Sequence, residues 1–169
     1  MANADKRYGF KFAKTTHGGP PQINEYPTSG TAAIYQGDAV KFSAGVVSAC
    51  TADTDIVYGV SADWTDSTST STMVGVYDDL DNTIFQAQCS QADVAGASCC
   101  MAFYDLNIGT ATTASDLSEM EVQSSGSVQD TILVLDKVDR PDNAWGANVD
   151  VYCKFVVHAN ASVRTHTGS

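Results

Sequence analysis

Val149-Asp-Val-Tyr-Cys-Lys-Phe-Val-Val157 alternates apolar and polar residues closely enough to decide the fold class. Val149, Val151, Cys153, Phe155 and Val157 share one side of an extended chain, while Asp150, Tyr152, Lys154 and, just beyond, His158 share the other. Successive side chains of a strand point to opposite faces, so the pattern predicts a strand with one face on a core and one toward water.

Working outward, residues 131–139 form a second β-branched and apolar run, too short for a helix and right for a buried strand. Weaker strand signals cover 39–42, 45–49, 56–62, 73–77, 83–88 and 101–104. Turn chemistry separates them at Gln36-Gly-Asp38, Asp78-Asp-Leu-Asp-Asn82, Asn107-Ile-Gly109 and Arg140-Pro-Asp-Asn143. The only helix signal, 92–97, is short and contains Gly96. The Ser/Thr-rich stretches 65–72, 110–118 and 124–127 read as exposed loops. Many short strands with regular turns predict a mainly β protein, a small antiparallel β-barrel or sandwich. The expected divisions are an extended N-terminal arm over 1–33, a body over 34–158 and a tail over 159–169.

Charge distinguishes the arm from the body. The 169 residues carry nine Lys and Arg against twenty Asp and Glu, a net charge of −11. Residues 1–24 hold four of the basic residues and one acid, a net of +3, which leaves −14 on residues 25–169. A chain so acidic is repelled by phosphate backbones, so nucleic acid is not an expected partner. Neither a signal-peptide core nor a run of about 20 apolar residues is found, so the expectation is a soluble protein made in a cytosol, with no membrane partner. Within the basic stretch, Tyr8, Phe10 and Phe12 alternate, followed by the breakers His17-Gly-Gly-Pro-Pro21 and Tyr26-Pro27. A segment this irregular cannot fold alone and must lie on something. Lys6, Arg7, Tyr8, Phe10, Lys11, Phe12 and Lys14 are therefore the candidate partner-binding residues, ordering on an assembly or a neighbouring subunit. The body is expected to stay folded without residues 2–14.

Little in the chain points to catalysis. His17, His158 and His166 share no metal-ligand spacing, and His158 reads as a solvated residue at a strand end. Cys50, Cys89, Cys99, Cys100 and Cys153 are odd in number and lack C-x-x-C spacing, so small buried apolar residues are expected rather than a disulfide framework or a zinc site. Asp78, Asp79, Asp81 and Asn82 offer oxygens that calcium favours, but the stretch lacks a closing Glu and consists of turn-forming residues. No nucleophile elbow, P-loop or dinucleotide fingerprint is present, so neither an enzyme nor a cofactor or metal is expected. In Arg140-Pro-Asp-Asn-Ala-Trp-Gly146, Pro141 and Asn143 set a turn and Trp145 covers a core edge; alternatively, Arg140 and Trp145 anchor an interface.

Four stretches, taken in order, carry a family resemblance: Met1-Ala-Asn-Ala with Tyr8-Gly-Phe10; Gln36-Gly-Asp-Ala-Val-Lys41; Asp78-Asp-Leu-Asp-Asn-Thr-Ile-Phe-Gln-Ala-Gln88; and Val138-Asp-Arg-Pro-Asp-Asn-Ala-Trp-Gly-Ala-Asn148 before the last strand. Together they resemble the head decoration, or cement, proteins of tailed bacteriophages over roughly residues 1–158. The resemblance implies a structural virion protein, made in the host bacterial cytoplasm, that binds the major capsid protein on the outer surface of the capsid and stabilises it. It further implies a symmetric oligomer, a homotrimer above all. A tail, fibre or adhesin-type binding module is the rival expectation.

Overall fold

The computed structural model describes residues 3–30, 32–65, 72–90, 96–109, 117–123 and 130–159. These build eleven strands in two antiparallel sheets stacked like a sandwich. In chain order they are β1 (Lys11–Thr15), β2 (Asn24–Pro27), β3 (Ala39–Ser43), β4 (Val46–Ala49), β5 (Gly59–Ser61), β6 (Met73–Tyr77), β7 (Thr83–Gln88), β8 (Phe103–Asn107), β9 (Glu121–Gln123), β10 (Ile132–Lys137) and β11 (Asp150–Phe155). One sheet runs β1-β7-β11-β10-β8-β9 and the other β2-β6-β5-β3-β4.

The alternating segment occupies the middle of the six-stranded sheet. β11 pairs with β10 through Ile132↔Phe155 and Val134↔Cys153, and with β7 through Val151↔Ala87 and Cys153↔Phe85. Val149, Val151, Cys153 and Phe155 are all fully buried, as the period of two predicts. The strand ends at Phe155, and Val157 lies outside it with 42% of its surface exposed. Around Phe155 the core is aromatic, with the rings of Phe10 and Phe85 centred 4.9 and 5.9 Å away. A second, smaller cluster of Ile34, Val40, Val47, Val74 and Val76 packs against the five-stranded sheet.

The polar side of the predicted strand differs from expectation. Alternation places Asp150 and His158 toward water, yet both are buried, because each finds a partner from a distant segment, Tyr8 and Asp81. Thr65, expected in an exposed loop, is also buried, where it bridges Ile34. The helix expected over 92–97 is described only at its end, where Ala97–Cys99 makes a single 3₁₀ turn. Residues 66–71, 110–116, 124–127 and 160–169, read as loops and tail, fall outside the described residues.

The largest difference concerns residues 1–33, expected to reach away from the body. Lys11–Thr15 is a strand of the body itself, paired with β7 from Lys11↔Gln86 to Thr15↔Thr83. Phe10 is 1% exposed, and β2 belongs to the second sheet. Sequence reading missed β1 because it is short, interrupted by a bulge between Phe12 and Lys14, and rich in lysine. Two glycines allow the close approach. Gly9 (φ 67°) and Gly37 (φ 89°) sit in the left-handed region, and a Cβ on Gly37 would lie 2.9 Å from the Tyr8 carbonyl oxygen. The Phe10 N–H donates to the Gly37 carbonyl at 2.9 Å, closing that contact.

The packing of Phe10 on Phe155 reverses the expected effect of truncation. Phe10→Ala should destabilise the protein by about 3–5 kcal/mol in urea unfolding. Deleting residues 2–14 should lower the stability of the body at least as much. A body that melts unchanged after that deletion would contradict this placement of Phe10.

Candidate functional site

The segment of residues 3–12 crosses the end of the six-stranded sheet and meets the turn that precedes β11. Asp150 lies at the junction, with 2% exposure, at the first position of β11. A buried carboxylate is tolerated only with charged or hydrogen-bonding partners. Tyr8 donates its hydroxyl to Asp150 Oδ1 at 2.8 Å, and the Arg140 guanidinium pairs with Oδ2. Burial, then the charge of Asp150, pushes the Tyr8 phenol well above its ordinary range. Asn143 completes the arrangement: its amide donates to the carbonyls of Val138 and Asp150, each at 2.8 Å, and its Oδ1 accepts from the Asp150 N–H at 2.9 Å. In Arg140-Pro-Asp-Asn143, the first residue thus binds the side chain of Asp150 and the last binds its backbone.

Neighbouring contacts extend this clasp. Asn3 donates to the carbonyls of Ala144 and Ala147 at 2.8 and 2.9 Å and accepts from the Ala144 N–H at 3.0 Å. Gln88 accepts from the Lys6 N–H at 3.0 Å and donates to the Ala4 carbonyl at 3.0 Å and the Asn148 carbonyl at 3.2 Å. Two clefts meet at Tyr8 and Arg140. One of about 550 Å³ runs beside Phe10, Lys11 and Phe12 toward Tyr77, and one of about 380 Å³ reaches Lys6 and Asn148.

The candidate partner-binding residues divide into two groups. Tyr8, Phe10 and Phe12 are engaged by the chain's own body; the Phe12 ring stacks on Tyr77 at 5.7 Å. Lys6, Lys11 and Lys14 are exposed and have no ion-pair partner among the described residues, though Lys14 lies over the Tyr152 ring at 5.6 Å. Arg7 faces Asp5 at 3.4 Å and Glu121 at 3.5 Å. Trp145 is half-buried against the main core, which accounts for its structural reading.

Two further features, an acidic turn and the thiols, complete the chemistry. Asp78, Asp79 and Asp81 bind different partners: Asp78 accepts from Asn24 and Tyr26, Asp79 accepts from Asn82, and Asp81 faces His158 Nε2 at 3.3 Å. The stretch works as a turn, closed by Asn82 on Asp79, whose other acids tie it to β2 and to His158. All five thiols are free, and Cys50, Cys89 and Cys153 are buried. Burial pushes the Cys50 thiol up to about 12, which suits a small apolar core residue rather than a nucleophile. Among the described residues, no group of three or more His, Cys, Asp or Glu side chains is placed to hold a metal ion. No helix among them is long and apolar enough to cross a membrane.

The chain matches no family model, no curated protein and no solved structure.

Glu121 is the residue that sequence reading missed most completely. It lies at the start of β9 with 1% exposure, and its Oε1 lacks a hydrogen-bond partner among the described residues. Burial raises its carboxyl from 4.5 to about 7, against the opposing pull of Arg7. The folded protein therefore binds a proton that the unfolded chain releases between those values. Stability should fall as pH rises from about 4.5 to about 7, a contribution on the order of 3 kcal/mol. Glu121→Gln should remove that part of the slope and raise the melting temperature at pH 8, as thermal unfolding across pH would show.

Proposed function

We propose that this chain is a structural virion protein that binds the outer surface of a bacteriophage capsid and stabilises it, without enzymatic activity. The observation that carries the reading is the convergence of the four stretches that resemble decoration proteins. Asn3 meets Ala144 and Ala147; Phe10 meets Gly37; Gln88 meets Ala4 and Asn148; and Tyr8 meets the Asp150–Arg140 pair. Chance similarities scattered over a chain have no reason to meet in space. Here they form one clasp that holds the N-terminal segment on the body, which supports their having a common structural purpose.

The charge distribution suits the same reading. Lys6, Arg7, Lys11, Lys14 and Arg140, five of the nine Lys and Arg residues, lie along the segment and its clasp, while the chain as a whole carries −11. An acidic partner surface would be met by this side, with the rest of the body turned outward. Opposite charge steers association and sets orientation more than it adds affinity. The partner is then the major capsid protein, and a homotrimer or another symmetric oligomer on the shell is the proposed state.

Heads purified from the phage that encodes the chain should carry it at a copy number comparable with the capsid protein, and a cryo-electron map should show knobs outside the shell. Heads stripped of it should lose their contents at a lower temperature and recover on its return. Finding the chain only on tails, or on no particle, would discard the reading.

A further inference from the structure

Four strands lie at the edges of the two sheets: β1 and β9 in one, β2 and β4 in the other. An open edge presents unpaired N–H and C=O groups, and proteins commonly cover it. Three of these edges turn back on their own sheet. Thr28, just past β2, bridges Val47 of β4, and Val122 of β9 bridges Cys89, just past β7. Strand β1 has β7 on one side and no second strand on the other among the described residues. The cleft of about 550 Å³ opens beside the start of this strand, along Phe10, Lys11 and Phe12.

We propose that β1 is a docking edge, to which an extended acidic segment of a partner protein adds as a further strand. An extended chain recognises such an edge through main-chain hydrogen bonds, and neighbouring side chains select its sequence. The selecting groups here are cations. Lys11 and Lys14 are exposed on the strand and without ion-pair partners among the described residues, and Arg140 lines the same cleft. Lysines on an edge repel a second copy of the same edge, which guards against self-association. They attract Glu and Asp on a different strand, and opposite charges across a strand pair stabilise it. The five residues of β1 match the length of a short added strand. The donor's identity as a segment of the shell protein rests on the decoration reading; the edge and its preference for an acidic strand do not.

The test uses the whole, isotope-labelled protein and synthetic peptides of about eight residues, matched to a short strand. One peptide alternates Glu with Thr and Val, the second has Lys in place of Glu, and the third is the acidic peptide with alternate backbone amides methylated. The acidic peptide should slow amide exchange within Lys11–Thr15, and its affinity should fall with added salt. The lysine peptide and the Lys11→Glu/Lys14→Glu variant should each reduce affinity about tenfold or more, the variant keeping its melting temperature. The methylated peptide should not bind. No binding by the acidic peptide, equal binding by the lysine or methylated peptide, or protection confined to other strands would overturn the proposal. A protein that binds the peptide at β1 yet is found on no head keeps the edge and discards the shell. A protein found on heads whose β1 amides exchange as fast as in the free protein keeps the shell and discards the edge.

Discussion

A carboxylate held out of water at the first residue of β11 imposes conditions on much of the molecule. Asp150 is 2% exposed, and burying its charge is tolerable only because three residues from two segments supply what water would have supplied. Tyr8 and Arg140 bind its oxygens, and Asn143 binds its backbone on both sides. These partners come from the N-terminal segment and from the turn before β11, so satisfying one charge places both. The Arg140 side chain is 41% exposed while the carboxylate is 3% exposed, so the pair spans the boundary between solvent and interior. Removing Arg140 would leave the buried carboxylate with the Tyr8 hydroxyl as its one remaining partner among the described residues, a loss that costs more than the pair contributes.

This arrangement changes what the basic segment is for. Its aromatic residues serve the chain's own core and surface, and its lysines face outward. The two properties that suggested a free adhesive arm are thus divided between opposite sides of one short stretch. Phe10 fills the space above Phe155, Phe12 lies flat on Tyr77, and Lys11, between them in sequence, is turned to solvent. Alternation, which sequence reading applied to the body from Ile34 onward, also governs residues 10–12.

The body's strands were legible because their patterns are local. Residues 73–77 and 83–88 were predicted with the bounds observed, and the strands near 39–42, 45–49, 131–139 and 149–157 were off only at their ends. Three of the four predicted turns close as expected, the Asp38, Asn82 and Asn143 N–H groups donating to the carbonyls of Tyr35, Asp79 and Arg140, with Gly37 held in the conformation that glycine favours. Illegible were features set by partners far away in sequence. The polar positions Asp150 and His158 look the same in an alternating pattern whether water or Tyr8 and Asp81 receive them. Glu121 sits in a three-residue strand, too short to show a period, so nothing local marks it as buried. β1 was hidden by a bulge and by lysines that a strand at a sheet edge tolerates. A signal for the clasp did exist, in Arg140 and Asn143 spaced three apart before a strand that begins with an acid, but it points to a structural joint only once Asp150 is known to be buried.

The bond from Asn3 to Ala144 spans 141 positions of the chain, and that from Gln88 to Ala4 spans 84. Residues 3–12 leave a ribosome well before the residues at 144–155 that receive them. Gly37 and β7 precede β11 in the chain, so their contacts with the segment can form earlier, but Phe10 lacks Phe155 until β11 has been made. Contacts so remote in sequence make folding slow, because the entropy of closing the loops is lost before packing repays it. The aromatic residues 8–12 therefore gain their last packing partner only with β11, and the charges beside them keep the segment soluble while it waits.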